Sequence, residues 1–176
     1  LGQRVERCRE FIGRPELSDD EALTMYGDYL AVYRSNWVAY PDALPSLQAA
    51  LGQGLTVGIL TNGAEEMQRA KLERTGLWLD GMIMCATVEL GAPKPQPESY
   101  RAALEKIGTP AEHTVMIGDR MDTDIKTGMR TVLVRSGISD DAAIDRHPYR
   151  PTRVVDDIGV VADAILDPFG DGHYQG

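Results

Sequence analysis

Apolar residues recur at helical spacing from Gln3 to about Asn36. Val5, Cys8, Phe11 and Ile12 mark one face, and Leu23, Tyr26, Tyr29, Leu30 and Tyr33 mark a second. Between the two runs, Ser18-Asp19-Asp20-Glu21 has the form of a capping box, a serine followed three residues later by a glutamate. The pattern predicts helices packed as a hairpin, with no strand. Tyr40-Pro41-Asp42 reads as a turn and Ala43 to Leu51 as a further short helix.

The rhythm changes at Gly54. Leu55 to Leu60 is a short apolar run ending in Thr61-Asn62-Gly63, as suits a buried parallel strand. Glu65 to Thr75 predicts a helix closed by Gly76. Met82 to Ala86 is a second strand, and Pro97 to Ile107 a helix with proline in its first turn and Gly108 after it. Thr114 to Ile117 is a third strand, ending in Gly118-Asp119; Arg130 to Val134 and Thr152 to Val155 are a fourth and fifth. Ile158 to Leu166 predicts a closing helix. Strands alternating with helices imply an α/β domain, a Rossmann-like parallel sheet flanked by helices. The expected organisation is a small helical unit over residues 1–38, an α/β core over 39–167 and a loose tail over 168–176.

Charge and composition narrow the partners. The formal net charge of -9 opposes non-specific nucleic-acid binding, which needs a basic face, but leaves room for a small phosphorylated partner held by a local cation. Cys8 and Cys85 are too few for a disulfide framework and read as free thiols in a reducing cytoplasm. No apolar run is long enough to span a membrane, and the charged start LGQRVERCREF has no signal-peptide core. The pattern is silent on oligomeric state.

Ligands of open α/β sheets bind beyond the carboxyl ends of the strands, and three polar clusters fall there. Thr61 offers a hydroxyl, and the amides of Asn62 and Gly63 open the next helix, a ready anion site. Lys94, in the proline-rich loop Gly91 to Pro97, offers a point positive charge. Asp119 is a hard oxygen ligand suited to Mg²⁺, and Asp124 could order the waters of a metal or the lysine. Each alone has a plainer reading: helix cap for Thr61, exposed loop lysine for Lys94, turn residue for Asp119 and solvated surface for Asp122. The combination in this chain order is far more specific.

With these motifs, ILTNG, GAPKP and VMIGDRMDTD, the chain resembles the haloacid dehalogenase-like (HAD) hydrolase superfamily over roughly Trp37 to Leu166. The helices before Tyr40 resemble the helical cap of one subgroup. GDRMDTDI, VLVRSGIS and HPYRPTRVV resemble a second subgroup, related to nucleotide and p-nitrophenyl phosphatases. The resemblance implies a Mg²⁺-dependent phosphohydrolase of small phosphomonoesters working through an aspartyl-phosphate. Thr61, Asn62, Gly63 and Lys94 would bind phosphate, Lys94 and Asp119 would be catalytic, and Asp119 and Asp124 would serve the metal. The cap would select the substrate, with Asn36 and Trp37 placed where it rejoins the core.

The chain departs from the family in its first motif, Asp-x-Asp-x-Thr/Val after an apolar strand, which is absent. That strand is central in the family sheet, between the strand ending at Leu60 and the one ending at Ile117. Its absence leaves two apolar edges and implies that the 176 residues alone are inactive. The expectation is that the nucleophile lies upstream of Leu1. The connection near Lys126 to Gly128 is also about one helical turn shorter than in the family. Two other functions stay open. One is a non-catalytic HAD-like phosphate-binding or scaffold module. The other is a 2-haloacid dehalogenase, which needs no metal and so fits the Asp119 to Asp124 cluster less well.

Overall fold

The computed structural model describes residues 2–125, 127, 129–135 and 139–160. The chain forms two compact units, Leu1–Val38 and Ala39–Gly176.

The first unit is a helical hairpin of α1 (Gly2–Ile12) and α2 (Asp19–Ser35). The capping box forms as the sequence predicts: Glu21 N–H donates to Ser18 Oγ at 3.3 Å, and Ser18 N–H donates to Glu21 Oε2 at 2.9 Å. The helical periodicity becomes a small core in which Val5, Cys8 and Ala22 are buried against Ile12, Leu17, Leu23 and Tyr26. Arg9 ties the hairpin together, with Nη2 2.5 Å from Asp19 and Nε donating to the Leu17 carbonyl. Phe11, Tyr29, Tyr33 and Trp37 form a run of ring contacts with centroids 4.6, 6.0 and 5.7 Å apart. The Asn36 amide donates to Val32 O at 2.8 Å, closing the end of α2.

The second unit alternates helices with short parallel strands. Its elements are α3 (Ala43–Gly52), β1 (Gly58–Thr61), α4 (Glu65–Arg74), β2 (Ile83–Ala86), α5 (Thr87–Leu90), α6 (Pro97–Ile107), β3 (Val115–Gly118), β4 (Arg130–Val134), α7 (Asp141–Arg146) and β5 (Arg153–Val155). Every strand pairing is parallel. The strands form two sheets, β1-β2 and β3-β4-β5, so among the described residues β1 and β3 each keep one unpaired edge. This is the division expected where a central strand is missing from the family sheet.

Packing follows the strand period. On β4, Leu133 joins Met121, Ile125 and Ile144 on one face, while Val132 joins Val155, Val115 and Ile117 on the other. A strand covered on both faces needs a continuous apolar run, which Val132 to Val134 supplies. The Asp42 carboxylate accepts from Ile158 N–H at 2.9 Å, and Ser46 Oγ donates to Ile158 O at 2.9 Å.

Some boundaries differ from the sequence reading. The first strand begins at Gly58 rather than Leu55, because pairing with β2 starts only where Ile83 N–H meets Val57 O. Helices α5 and α7 were not foreseen; both are too short to show a period, and α7 is set by Asp140 capping Ala143 N–H at 2.8 Å. A wide, π-type turn, Met121–Ile125, stands in the connection after β3. The expected closing helix starts as a 3-10 turn, Ile158–Val160; its remaining residues 161–166, the tail 168–176, Lys126 and Gly128 lie outside the described residues. Among the described residues no helix is long and apolar enough to cross a membrane. Cys8 and Cys85 are free and buried.

Candidate active site

The parallel register of β1 and β2 pairs Thr61 with Ala86, which brings the next residues, Asn62 and Thr87, side by side beyond the strand ends. The Asn62 carboxamide uses this position to hold the lysine loop by its backbone. Its Oδ1 accepts from Lys94 N–H at 2.7 Å and from Thr87 Oγ at 3.1 Å, and its Nδ2 donates to Lys94 O at 3.1 Å. The loop can reach this place because Gly91 closes α5 in the left-handed region, at φ 82°, where a side chain would be strained.

The side chain of Lys94 runs to the other sheet. Its Nζ donates to Asp124 Oδ1 at 2.7 Å, and the two side chains are only 13% and 6% exposed. Asp124 also accepts from Thr123 Oγ on Oδ1 and from Arg120 N–H on Oδ2, both at 3.2 Å. Its carboxylate is thus fully engaged within the protein. Gly118, the last residue of β3, lies directly beneath it: a Cβ there would stand 2.5 Å from Asp124 Cβ. The lysine therefore links the ends of β1 and β3, its backbone fastened at one and its ammonium at the other.

Tyr100 of α6 supports the acidic turn from behind. It is 3% exposed, and its hydroxyl donates to Thr123 O. Burial chiefly, with the charges of Asp124 and Asp122 adding, pushes the phenol up to about 12, so it remains a neutral donor at ordinary pH. Tyr100→Phe leaves the ring and strands the Thr123 carbonyl; the expected loss is about 1–2 kcal/mol in urea denaturation. An unchanged midpoint would show that the carbonyl finds another partner.

The remaining candidates fall around this pair. Asp119 follows β3 and is half-buried; its carbonyl accepts from Ser139 Oγ at 2.6 Å, while its carboxylate has no hydrogen bond among the described residues. Asp122 is exposed and paired with Arg120 at 3.1 Å; the hydrogen bonds from that guanidinium hold its carboxyl below the usual range. Thr61 Oγ accepts from Gly63 N–H at 3.1 Å, so that amide is engaged inside the turn. The first turn of α4 is occupied as well, by Glu89, whose carboxylate accepts from Glu65 N–H at 3.2 Å. The Asn62 side chain thus acts on Lys94, a role beyond the helix opening that the sequence suggested.

The donor set among the described residues does not complete a magnesium site. Among the described residues no group of three or more His, Cys, Asp or Glu could hold a metal ion. With Asp124 committed to Lys94, Asp119 alone falls far short of the oxygen shell Mg²⁺ demands. Sequence reading also missed Thr87, Tyr100, Glu89 and the role of Gly118. Only Gly118 carried a usable signal, a glycine at a strand end before an acidic run.

Parallel strands with a lysine–aspartate pair at their carboxyl rim, a threonine at one strand end and an aspartate at another, define the core of a HAD-type α/β hydrolase. The chain belongs to the haloacid dehalogenase-like hydrolase superfamily. The HAD-hydrolase-like family model matches residues 91–161. The chain is 60% identical over 86 residues to dihydroxyacetone phosphatase of Corynebacterium glutamicum, which covers 47% of this chain and 31% of that protein. It is 31% identical over 137 residues to phosphoserine phosphatase of Thermus thermophilus, covering 76% of this chain and 53% of that one. The fold matches a HAD phosphatase from Thermococcus onnurineus with a TM-score of 0.62 at 21% identity, over 93% of this chain and 86% of the other. The chain spans 31% and 53% of the lengths of those two curated relatives.

Proposed function

We propose that this chain belongs to a HAD-type phosphohydrolase acting on a small phosphomonoester. The observation that carries this reading is the buried Lys94–Asp124 pair, with the Lys94 backbone fixed to the residue after Thr61. In this reading Lys94 and Thr61 hold phosphate oxygens, and Asp124 keeps the ammonium charged and aimed. The phosphatase names of the similar proteins point to the same substrate class.

The family chemistry needs a carboxylate that attacks phosphorus, releases the alcohol and is then freed by water. No residue of this chain matches that nucleophile, and the unpaired edges of β1 and β3 support a further parallel strand between them as its carrier. Magnesium would take Asp119 from this chain and its other protein carboxylates from that strand. Residues 1–38 are the unit proposed as cap, 39–167 as catalytic core and 168–176 as tail.

The test is hydrolysis of p-nitrophenyl phosphate with Mg²⁺ by the full-length protein. Activity is expected, and Asp119→Ala is expected to abolish it while leaving the protein folded; Lys94→Ala is expected to abolish it too, at a cost in stability, because it leaves the Asp124 carboxylate buried without its counter-charge. A folded wild type with a flat baseline would remove the enzymatic reading. If that protein still bound inorganic phosphate through Lys94, the result would favour a non-catalytic phosphate-binding module, a reading supported by the missing first motif. Chloride release from a 2-chloroacid without Mg²⁺ would instead favour a dehalogenase.

A further inference from the structure

Thr87 belongs to none of the motifs, yet it is 3% exposed and its hydroxyl reaches across from β2 to the site. Thr87 is the first residue of α5, after the N-cap Ala86, so capping does not account for its hydroxyl. Thr87 instead gives its proton to Asn62 Oδ1 at 3.1 Å. The same oxygen accepts from Lys94 N–H, and the amide nitrogen donates to Lys94 O. Asn62 is exposed, so without Thr87 its carboxamide would exchange these bonds with water and swing about its own axis. With Thr87 in place, the carboxamide is held at both ends, and the Lys94 peptide is gripped through donor and acceptor together.

We propose that Thr87 is a positioning residue for Lys94, acting through the Asn62 carboxamide so that the ammonium and the Thr61 hydroxyl address one phosphate. Thr87 touches no substrate. It fixes the backbone from which the lysine side chain starts, as Asp124 fixes the far end. A lysine has four rotatable bonds, and a charge held at both ends loses less freedom when an anion arrives than one anchored at the tip alone. The inference rests on the phosphate-binding reading of the site, and the experiment separates the two.

The experiment is calorimetric titration of the full-length protein with inorganic phosphate, alongside its thermal midpoint, for wild type, Thr87→Val and Thr87→Ser. Valine keeps the shape and removes the hydroxyl; serine keeps the hydroxyl. Thr87→Val is expected to weaken phosphate binding by about three- to tenfold, the worth of one hydrogen bond, and Thr87→Ser to stay within about twofold of wild type. Equal affinity in Thr87→Val and wild type would overturn the proposal. So would a Thr87→Ser variant as weak as Thr87→Val, since packing alone would then explain the loss.

A folded wild type that bound no phosphate would sink the phosphate reading, and positioning would then be judged by hydrogen exchange at the Lys94 amide. The same measurement decides if Thr87→Val does not fold. Protection of that amide in wild type and Thr87→Ser supports the clamp, and an unprotected amide in wild type overturns it.

Discussion

Asp124→Ala is expected to destabilise the α/β unit by about 3–5 kcal/mol, because it leaves the Lys94 ammonium buried without its counter-charge. The side chains concerned are 13% and 6% exposed, so water can replace the lost carboxylate only if the loop opens. The same change removes an acceptor from Arg120 N–H and from the Thr123 hydroxyl. Urea denaturation of the variant should show a lowered midpoint. Removing both charges together, as Lys94→Met with Asp124→Leu, should recover most of the loss, since burying two apolar side chains carries no charge-desolvation penalty. A single variant as stable as wild type would mean that the ion pair is solvated after all, and that the lysine is not held as described.

Gly118→Ala is expected to be nearly as damaging, at about 3 kcal/mol, although it adds one methyl group. The added Cβ would fall 2.5 Å from Asp124 Cβ, an atom on the main-chain side of its side chain that no rotamer change can move. Either β3 or the turn Met121–Ile125 must shift, and both pack against buried residues of β4, on its two faces. The Asp124–Lys94 distance should lengthen, so phosphate binding and stability should fall together. Combining Gly118→Ala with Asp124→Ala removes the contacts with Oδ2 and Cγ but keeps the one with Cβ at 2.5 Å, so the relief is partial. Midpoints measured for both single variants and the double variant test this. A Gly118→Ala protein with wild-type stability would show that the turn yields easily.

Both effects turn on one feature, a turn after β3 pressed tightly against the strand end. Tyr100 holds the outer side of that turn through the Thr123 carbonyl, and Gly118 leaves room on the inner side. The result is that Asp124 faces Lys94 while Asp122, two residues earlier, faces solvent and Arg120. Alternate acids in one short run thus have different work, and the acidic cluster seen in the sequence is not a single ligand group.

The elements themselves were legible in the residues. The capping box at Ser18, the apolar run from Val132 to Val134, and the proline and glycine bracketing α6 each act through a few neighbours, and local chemistry carries them into the structure unaltered. The break between β1 and β3 was legible too, because a missing motif implies a missing strand. Helices α5 and α7 were not, since four and six residues are too few to display a period.

Residue types and their order by themselves marked the candidates at the sheet rim: Thr61, Asn62, Gly63 and Lys94 for an anion, and Asp119 and Asp124 for a metal. Only the tertiary structure decided how they are held. Asn62 and Thr87 are neighbours because two strands pair in one register and no other. Asp124 belongs to Lys94 because a glycine lets one turn close onto a strand. Such partners lie 25 to 32 residues apart along the chain. A hydrogen bond selects them only after packing has brought them within 3 Å or so, a distance on which the local pattern of apolar and polar residues has no bearing.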